Sequence, residues 1–396
     1  MTEQLDIAYY IRSNIQHLPP VLRLQEELPG PILTADPNVV ELIKRKYPEH
    51  AARLVFLKRT WQAKSYVRRN KIRILIYPAF KNLNRGLSVE IFHGGLSDKR
   101  YLETSLITLY DLVLFPGQKS ADKVEKADLL HRVKAWEIIG YPKFDPLVDR
   151  SLQYEPVFSN GMPTVLYAPT WISETRPCAE QEKFRFSQHG ESSIPRWGKK
   201  IVQCLPEGVN LIIKFHSRVH GEAGRKLHDE IEQSIVENGL KDRARVVFDD
   251  NILPYMDQSA IMISDISSAC YEWFHFDRPI LFANPSPEHY RPVDDITKNT
   301  YAWQAGDVIN EEPDIARLIE KNLAQDDHRA KRNEIFHYSV FSPDGNATKR
   351  QADAIRKLSR RYEAMPFWRF HVMTRARHFW RKLVVRFVLG RGIIKE

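Results

Sequence analysis

The first part of the chain alternates short apolar runs with stretches of helical period. Ile7 to Ile11, Pro31 to Thr34, Arg53 to Leu57, Ile72 to Tyr77, Ser88 to Phe92, Leu112 to Phe115 and Trp136 to Ile139 read as strands. Helical patterns such as Val39 to Lys46 and Ala121 to Leu130 lie between them. Apolar runs separated by helices predict a layered α/β domain on a parallel sheet. The stretch from Gly140 to Pro163 is rich in proline and turn residues and reads as a linker. A second alternation follows, with strands at Thr164 to Ala168, Leu211 to Phe215, Arg245 to Phe248, Ile261 to Ser264 and Pro279 to Phe282. Helices are expected at Gly198 to Cys204, Gly221 to Asn238 and Ala269 to Phe276, and one beginning after Pro343 is expected to pack back across the first domain. The division expected is therefore residues 1–147, residues 148–350, and a terminal segment, residues 351–396.

Composition adds three constraints. Among 396 residues there are only three cysteines, Cys178, Cys204 and Cys270, at spacings that suit neither a zinc site nor a disulfide framework. The opening MTEQLDIAYYI lacks the basic and apolar regions of a leader, and no stretch approaches the ~18 apolar residues of a spanning helix, so a cytoplasmic chain is expected. The net charge of +9 is concentrated at the end, where Pro366 to Glu396 carry eight Lys or Arg against one acid. Such a concentration argues against a nucleic-acid reader spread over the fold.

That terminal segment is also patterned. At 100° per residue, Val372, Met373, Ala376, Phe379, Trp380, Leu383, Val384 and Phe387 share one arc, and Arg375, Arg377, Arg381, Lys382 and Arg386 share the other. Trp and Phe opposite a basic face is the pattern of a helix lying in a membrane interface, with an anionic inner leaflet as its partner. A helix docked on the protein's own core fits the same residues.

Candidate chemistry collects where strands end. In SDISSACYEW, Ser264 to Trp273, an apolar strand runs into a turn with two hydroxyls, Ser267 and Ser268, and then into a helix. Hydroxyls and free amides at a helix start suit a diphosphate, and Glu272 one turn later suits ribose hydroxyls; a capped core helix is the plain alternative. In NLIIKFHSRVH, Lys214 and His216 stand two apart on a strand and so share a side, where they could neutralise a transferring phosphate or simply be solvated. In VEIFHGGLSDKRY, His93 ends a strand and Gly94 and Gly95 permit close approach of backbone to a ligand, which makes His93 a base candidate. YAPTW, Tyr167 to Trp171, adds the Thr170 hydroxyl, and FSPDGNATKR, Phe341 to Arg350, sets Asp344 in a turn ahead of a helix that contains Arg350.

Taken in order, FHGG, GYPKFD, YAPTW, KFHS, SDISSACYE, RPILF and DGNATKR, from about Ser88 to Arg350, resemble the motif series of the CDP-glycerol glycerophosphotransferases of teichoic acid assembly. The departures are GLSDK after the His-Gly pair, Lys143, Ile172 and Ser217. Two successive α/β alternations suggest two Rossmann-like domains in a GT-B arrangement, followed by the basic amphipathic C-terminal helix. The resemblance implies a transferase that moves glycerol phosphate or a related polyol phosphate from a CDP-polyol to a hydroxyl of a lipid-linked saccharide or polymer. CMP would be released, at the inner face of the cell membrane. His93 is then the preferred general base and His216 the preferred stabiliser of developing charge, with the exchange of these two roles left open, and Gly94, Gly95, Thr170, Lys214, Ser267, Ser268, Glu272, Asp344 and Arg350 are substrate contacts. No metal ligand set is implied and no cofactor is required, with a loosely held magnesium left open. A GT-B nucleotide-sugar glycosyltransferase and a non-catalytic membrane or nucleic-acid binding protein are the rival readings.

Overall fold

The computed structural model describes residues 6–12, 15–92, 96–98, 100–171, 191–216 and 222–389. The chain forms two compact units. The first comprises residues 1–95, 102–151 and 340–396, and the second comprises residues 96–101 and 152–339. The breaks beside the linker and before the last helices thus fall at 151/152 and 339/340, where 147/148 and 350/351 were expected.

The first unit is built on seven parallel strands: β1 (Ile7–Ile11), β2 (Ile32–Thr34), β3 (Leu54–Phe56), β4 (Ile74–Tyr77), β5 (Leu87–Glu90), β6 (Leu112–Phe115) and β7 (Trp136–Ile138). They pair in the order β3-β2-β1-β4-β5-β6-β7. The sequence moves outward from β1 in one direction and then returns to β4 to move in the other, so the topological switch lies between β1 and β4. Helices α1 (Leu18–Glu27), α2 (Pro37–Lys46), α3 (Thr60–Arg69) and α4 (Gln118–Lys126) connect the strands. Pro37 at the first helical turn and the Asp36 carboxylate accepting the Asn38 amide start α2.

Two later helices complete this core: the return helix (Ala347–Arg360) through Ala352, Ile355 and Leu358, and the terminal helix (Phe367–Val384) through Phe370. Arg73 locks the entry to the terminal helix, since its guanidinium donates to the Tyr362 and Met365 carbonyls and lies against the Phe367 and Phe370 rings.

The second unit has six parallel strands: β8 (Thr164–Tyr167), β9 (Asn210–Lys214), β10 (Ala244–Val247), β11 (Ile261–Ser264), β12 (Ile280–Ala283) and β13 (Asp307–Ile309). Their order is β10-β9-β8-β11-β12-β13, which puts this sheet's switch between β8 and β11. Its main helices are α5 (Ile194–Gln203), α6 (Glu222–Glu237), the one-turn α7 (Ala269–Trp273) and α8 (Asp314–Ala324). Trp197, Trp273 and Trp303 are fully buried, and the indole of Trp197 donates to the Asn284 carbonyl at 2.6 Å.

The terminal helix buries Phe370, Thr374 and His378, and Arg377 and Arg381 of its basic arc are turned to the protein and pair with Asp111 at 2.9 and 3.2 Å. The apolar arc is left outside, with Val372, Phe379, Trp380 and Phe387 exposed. An ion pair to a buried carboxylate is screened less than one at the surface, which favours this rotation of the helix.

Candidate functional site

In an open parallel sheet, the loops at the carboxyl ends on either side of the switch diverge and leave a crevice. In the second unit those loops are Ala168 to Trp171 after β8 and Asp265 to Ser268 after β11, which are the YAPTW and SDISS motifs. Asp265 ties them together. Its carboxylate, 1% exposed, accepts the Thr170 amide and the Ser193 amide, each at 2.8 Å. Ser264 adds a bond from its hydroxyl to the Ala168 carbonyl, and Ser192 adds one to the Thr170 carbonyl, both at 2.8 Å. Asp265 was passed over in the sequence because its role is to the scaffold. The signal that could have found it is its place between strand and hydroxyl pair, where a carboxylate faces unpaired loop amides.

On this support Ser267 and Ser268 are half-buried at the rim. The Ser267 hydroxyl accepts the Ala269 amide at 3.3 Å, which uses a lone pair and leaves its O–H to donate to a ligand. Glu272 lies on α7 and is buried, as is the neighbouring Tyr271. Tyr271 donates its hydroxyl to Asp98, whose other oxygen accepts the Ala302 amide at 2.9 Å. Burial first and the Asp98 carboxylate second push the Tyr271 phenol well above its ordinary pKa. Asp98 belongs to the short segment that follows Gly94 and Gly95 in sequence, and it is anchored beside the helix that carries Glu272.

Lys214 and His216 end β9, but their settings differ. The Lys214 ammonium donates to the Phe215 carbonyl at 3.1 Å and to the Asp249 carbonyl at 2.7 Å, and the residue is buried. The same ammonium, expected as a phosphate contact, also holds the loop after β10 against the end of β9. His216 is half-buried just beyond it.

In the first unit His93, Gly94 and Gly95 lie outside the described residues, and what precedes them is informative. Glu90 ends β5 fully buried, and burial raises its pKa well above the carboxylate range. One carboxyl oxygen accepts the Phe92 amide at 3.2 Å and the other, Oε2, has no hydrogen-bond partner among the described residues. Phe92 itself has φ of 50°, a left-handed conformation that costs an aromatic residue about 1–3 kcal/mol. Packing of its ring against Phe80 and Phe115 holds it there. The chain is thereby turned sharply at the residue before His93.

At the switch between β1 and β4 the first unit has a pocket of 240 Å³, lined by residues that include Arg12, Thr60, Lys81, Asn82, Leu109 and Tyr110. It offers both cationic and apolar walls. Asp344 and Arg350, expected as substrate contacts, form a clasp within this unit. Arg350 makes two bonds of 2.9 Å to the Asp344 carboxylate and further bonds to the Ile139 and Ser342 carbonyls. Asp145 accepts the Ala347 and Thr348 amides at the start of the return helix. Gly140, with φ of 87°, could carry no side chain, because a Cβ would stand 2.7 Å from the Phe341 carbonyl oxygen. The GYPKFD and DGNATKR motifs are therefore partners of each other. Among the described residues no group of three His, Cys, Asp or Glu is placed to hold a metal ion.

Comparison with known proteins agrees with this arrangement. The family described as CDP-Glycerol:Poly(glycerophosphate) glycerophosphotransferase matches residues 51–357. A structure of the wall teichoic acid polymerase TagF is similar over 91% of this chain and 90% of that chain, at 15% identity and a TM-score of 0.59. A putative UDP-N-acetylglucosamine 2-epimerase from Listeria monocytogenes is similar over 89% of this chain and 96% of that chain, at 12% identity and a TM-score of 0.56. These structural likenesses fix the fold as GT-B-like, two parallel-sheet α/β units. A sequence comparison with curated proteins gave no match.

Proposed function

Since the chain belongs to the CDP-glycerol:poly(glycerophosphate) glycerophosphotransferase family, we propose that it moves glycerol phosphate, or a closely related polyol phosphate, from a CDP-activated donor to the hydroxyl of a lipid-linked saccharide or growing polymer. The observation that carries this reading is the switch-point crevice of the second unit, where Asp265 braces the Thr170 loop against the Ser267 and Ser268 rim. The serine hydroxyls receive the diphosphate, and Glu272 receives the ribose. The acceptor oxygen attacks the β-phosphorus, a new P–O bond forms, and the bond from that phosphorus to the bridging oxygen breaks, so that CMP leaves with the bridging electron pair. The acceptor proton passes to His93, and His216 stabilises the negative charge that develops on the phosphoryl oxygens. Lys214 contributes by fixing the end of β9 next to His216. Asp344 and Arg350 act through the clasp.

The pocket at the first unit's switch, with Arg12 and Lys81 beside Leu109 and Tyr110, suits an acceptor that carries both phosphate and apolar groups. The exposed Trp368, Phe379 and Trp380 of the terminal helix support work at an anionic, cytoplasmic membrane face where such acceptors reside. The test is incubation with CDP-glycerol, CDP-ribitol and a set of UDP-sugars, with and without magnesium and with a lipid-linked acceptor. CMP released with polyol phosphate gained by the acceptor is the expected result. Release of UDP alone would assign the crevice to a nucleotide-sugar glycosyltransferase instead.

A further inference from the structure

The turn between β4 and β5 places one arginine between two left-handed residues. Asn84 has φ of 56° and Gly86 has φ of 58°, with Arg85 half-buried between them. A Cβ on Gly86 would stand 2.5 Å from the Arg73 carbonyl oxygen, so the turn has little freedom. The terminal helix sits on it, because the buried His378 ring donates through Nε2 to the Gly86 carbonyl at 2.9 Å. Residues 371, 375, 378 and 382 fall on one helical stripe, so this bond brings His371, Arg375 and Lys382 toward Arg85. On α3, Trp61, Lys64 and Arg68 form a similar stripe.

The result is a gathering of cations without an acid. Arg85 is lowered by burial and by Arg375 and Arg68, and Lys64 by burial and by Arg85 and Lys382. His371 is lowered by burial and then by Arg375, Arg85 and Arg68. Among the described residues none of Lys64, Arg68, Arg85, Arg375 and Lys382 has an ion pair, whereas Arg377 and Arg381 on the same helix are neutralised by Asp111. Like charges held together by a rigid turn and two helices are destabilising unless an anion joins them. Apolar side chains are exposed beside it on the same two helices: Trp61, Trp368, Val372 and Phe379. Cations flanked by exposed tryptophan match the headgroup level of a bilayer in both charge and amphipathy.

We propose that Lys64, Arg68, Arg85, Arg375 and Lys382, with His371, form a binding site for the phosphate of an anionic lipid headgroup, and that α3 and the terminal helix together lie against the membrane. This deepens the membrane reading above and rests on it. It also revises which cations serve, since Arg377 and Arg381 hold the helix to the protein and leave the lipid to α3, the turn and the outer stripe.

The test uses the full chain and vesicles of phosphatidylcholine with and without phosphatidylglycerol. At ~1 kcal/mol per cation near an anionic leaflet, Arg68→Gln with Arg85→Gln is expected to weaken binding to the phosphatidylglycerol vesicles about thirty-fold. Binding to phosphatidylcholine alone and CMP release with a soluble acceptor are expected to stay at the wild-type level. The single variants Arg68→Gln and Arg375→Gln, both at exposed positions, are each expected to lose several-fold and keep the interpretation open to test if the double variant unfolds. Unchanged affinity of the variants for phosphatidylglycerol vesicles would overturn the site. So would inorganic phosphate that binds the vesicle-free protein as tightly as the headgroup does, since that would mark a site for free phosphate. Loss of donor turnover by the wild-type chain would sink the transferase reading but leave this outcome readable, because vesicle binding needs no catalysis.

Discussion

Replacing Asp111 by asparagine tests why the terminal helix is oriented as it is. Asp111 is 1% exposed, and its Oδ1 meets Arg377 at 2.9 Å, Arg381 at 3.2 Å and Lys134 at 3.4 Å. Its Oδ2 accepts the Ser88 amide at 3.0 Å. Burial alone would raise its pKa, but Arg381, the Ser88 amide and Lys134 outweigh burial and hold it below the ordinary carboxylate value. Asparagine keeps an acceptor for Ser88 and removes the charge, leaving three cations facing one another. Removing one partner of a buried pair costs about 3–5 kcal/mol, and since the cations here keep some contact with water we expect less than that, about 2–3 kcal/mol. The pH dependence adds a second readout. A carboxylate with a depressed pKa contributes stability that is present above about pH 4 and lost as pH falls through its folded value. The His378 imidazole, lowered mainly by burial, likewise contributes above about pH 6.5 and loses that contribution as pH falls, since the unfolded chain takes up a proton that the folded one refuses. Urea unfolding from pH 8 to pH 3 should therefore show wild-type stability falling in two stages, and the Asp111→Asn protein should start lower and lack the more acidic stage. A variant within about 0.5 kcal/mol of wild type, with both stages intact, would refute the idea that Asp111 sets the helix rotation.

Three further outcomes follow from the candidate site. Ser267→Ala with Ser268→Ala should raise the dissociation constant for CDP-glycerol at least ten-fold by calorimetry, because hydrogen bonds to charged groups are worth about 1.5–3 kcal/mol; an unchanged constant would move the diphosphate elsewhere. His93→Ala and His216→Ala should each lower turnover about 10²- to 10⁴-fold at unchanged melting temperature, and losses under ten-fold in both would remove them from the catalytic assignment. Asp265→Ala leaves the Thr170 and Ser193 amides without their acceptor and should cost about 2–4 kcal/mol in denaturant unfolding together with donor affinity. Full stability in that variant would show that the two loops do not depend on the carboxylate.

Much of the fold was legible because the strands are apolar runs cut off sharply by turn residues. β1, β6 and β11 have the bounds read from the sequence, and most of the others differ by one or two residues at an end. β13 was missed: it is three residues long, begins with Asp307, and adds only an edge. Helix α3 was missed because only Ala63 and Val67 of its ten residues are buried, which leaves almost no apolar period to read. That same polarity is what makes it a candidate membrane contact.

Side-chain direction was harder to read than element type. Periodicity places Lys214 and His216 on one side of a strand, yet cannot say that the Lys214 ammonium is already bound by two carbonyls, one of them 35 residues away at Asp249. A helical projection groups Arg377 and Arg381 with Arg375, Lys382 and Arg386, and only a buried carboxylate 266 residues earlier sets those two apart. The family motifs themselves divide on the same principle. SDISS and YAPTW stand at a sheet switch where loops part, so Ser267 and Ser268 reach the rim while Ser264 and Asp265 tie the two loops together. GYPKFD and DGNATKR stand where a chain returns to its first unit, so their Asp145, Asp344 and Arg350 are taken up by amides, carbonyls and each other. A motif residue becomes a ligand contact when the fold leaves its polar atoms without protein partners, and a clasp when the fold supplies them. Sequence fixes which atoms need partners, and topology decides whether the protein or the substrate provides them.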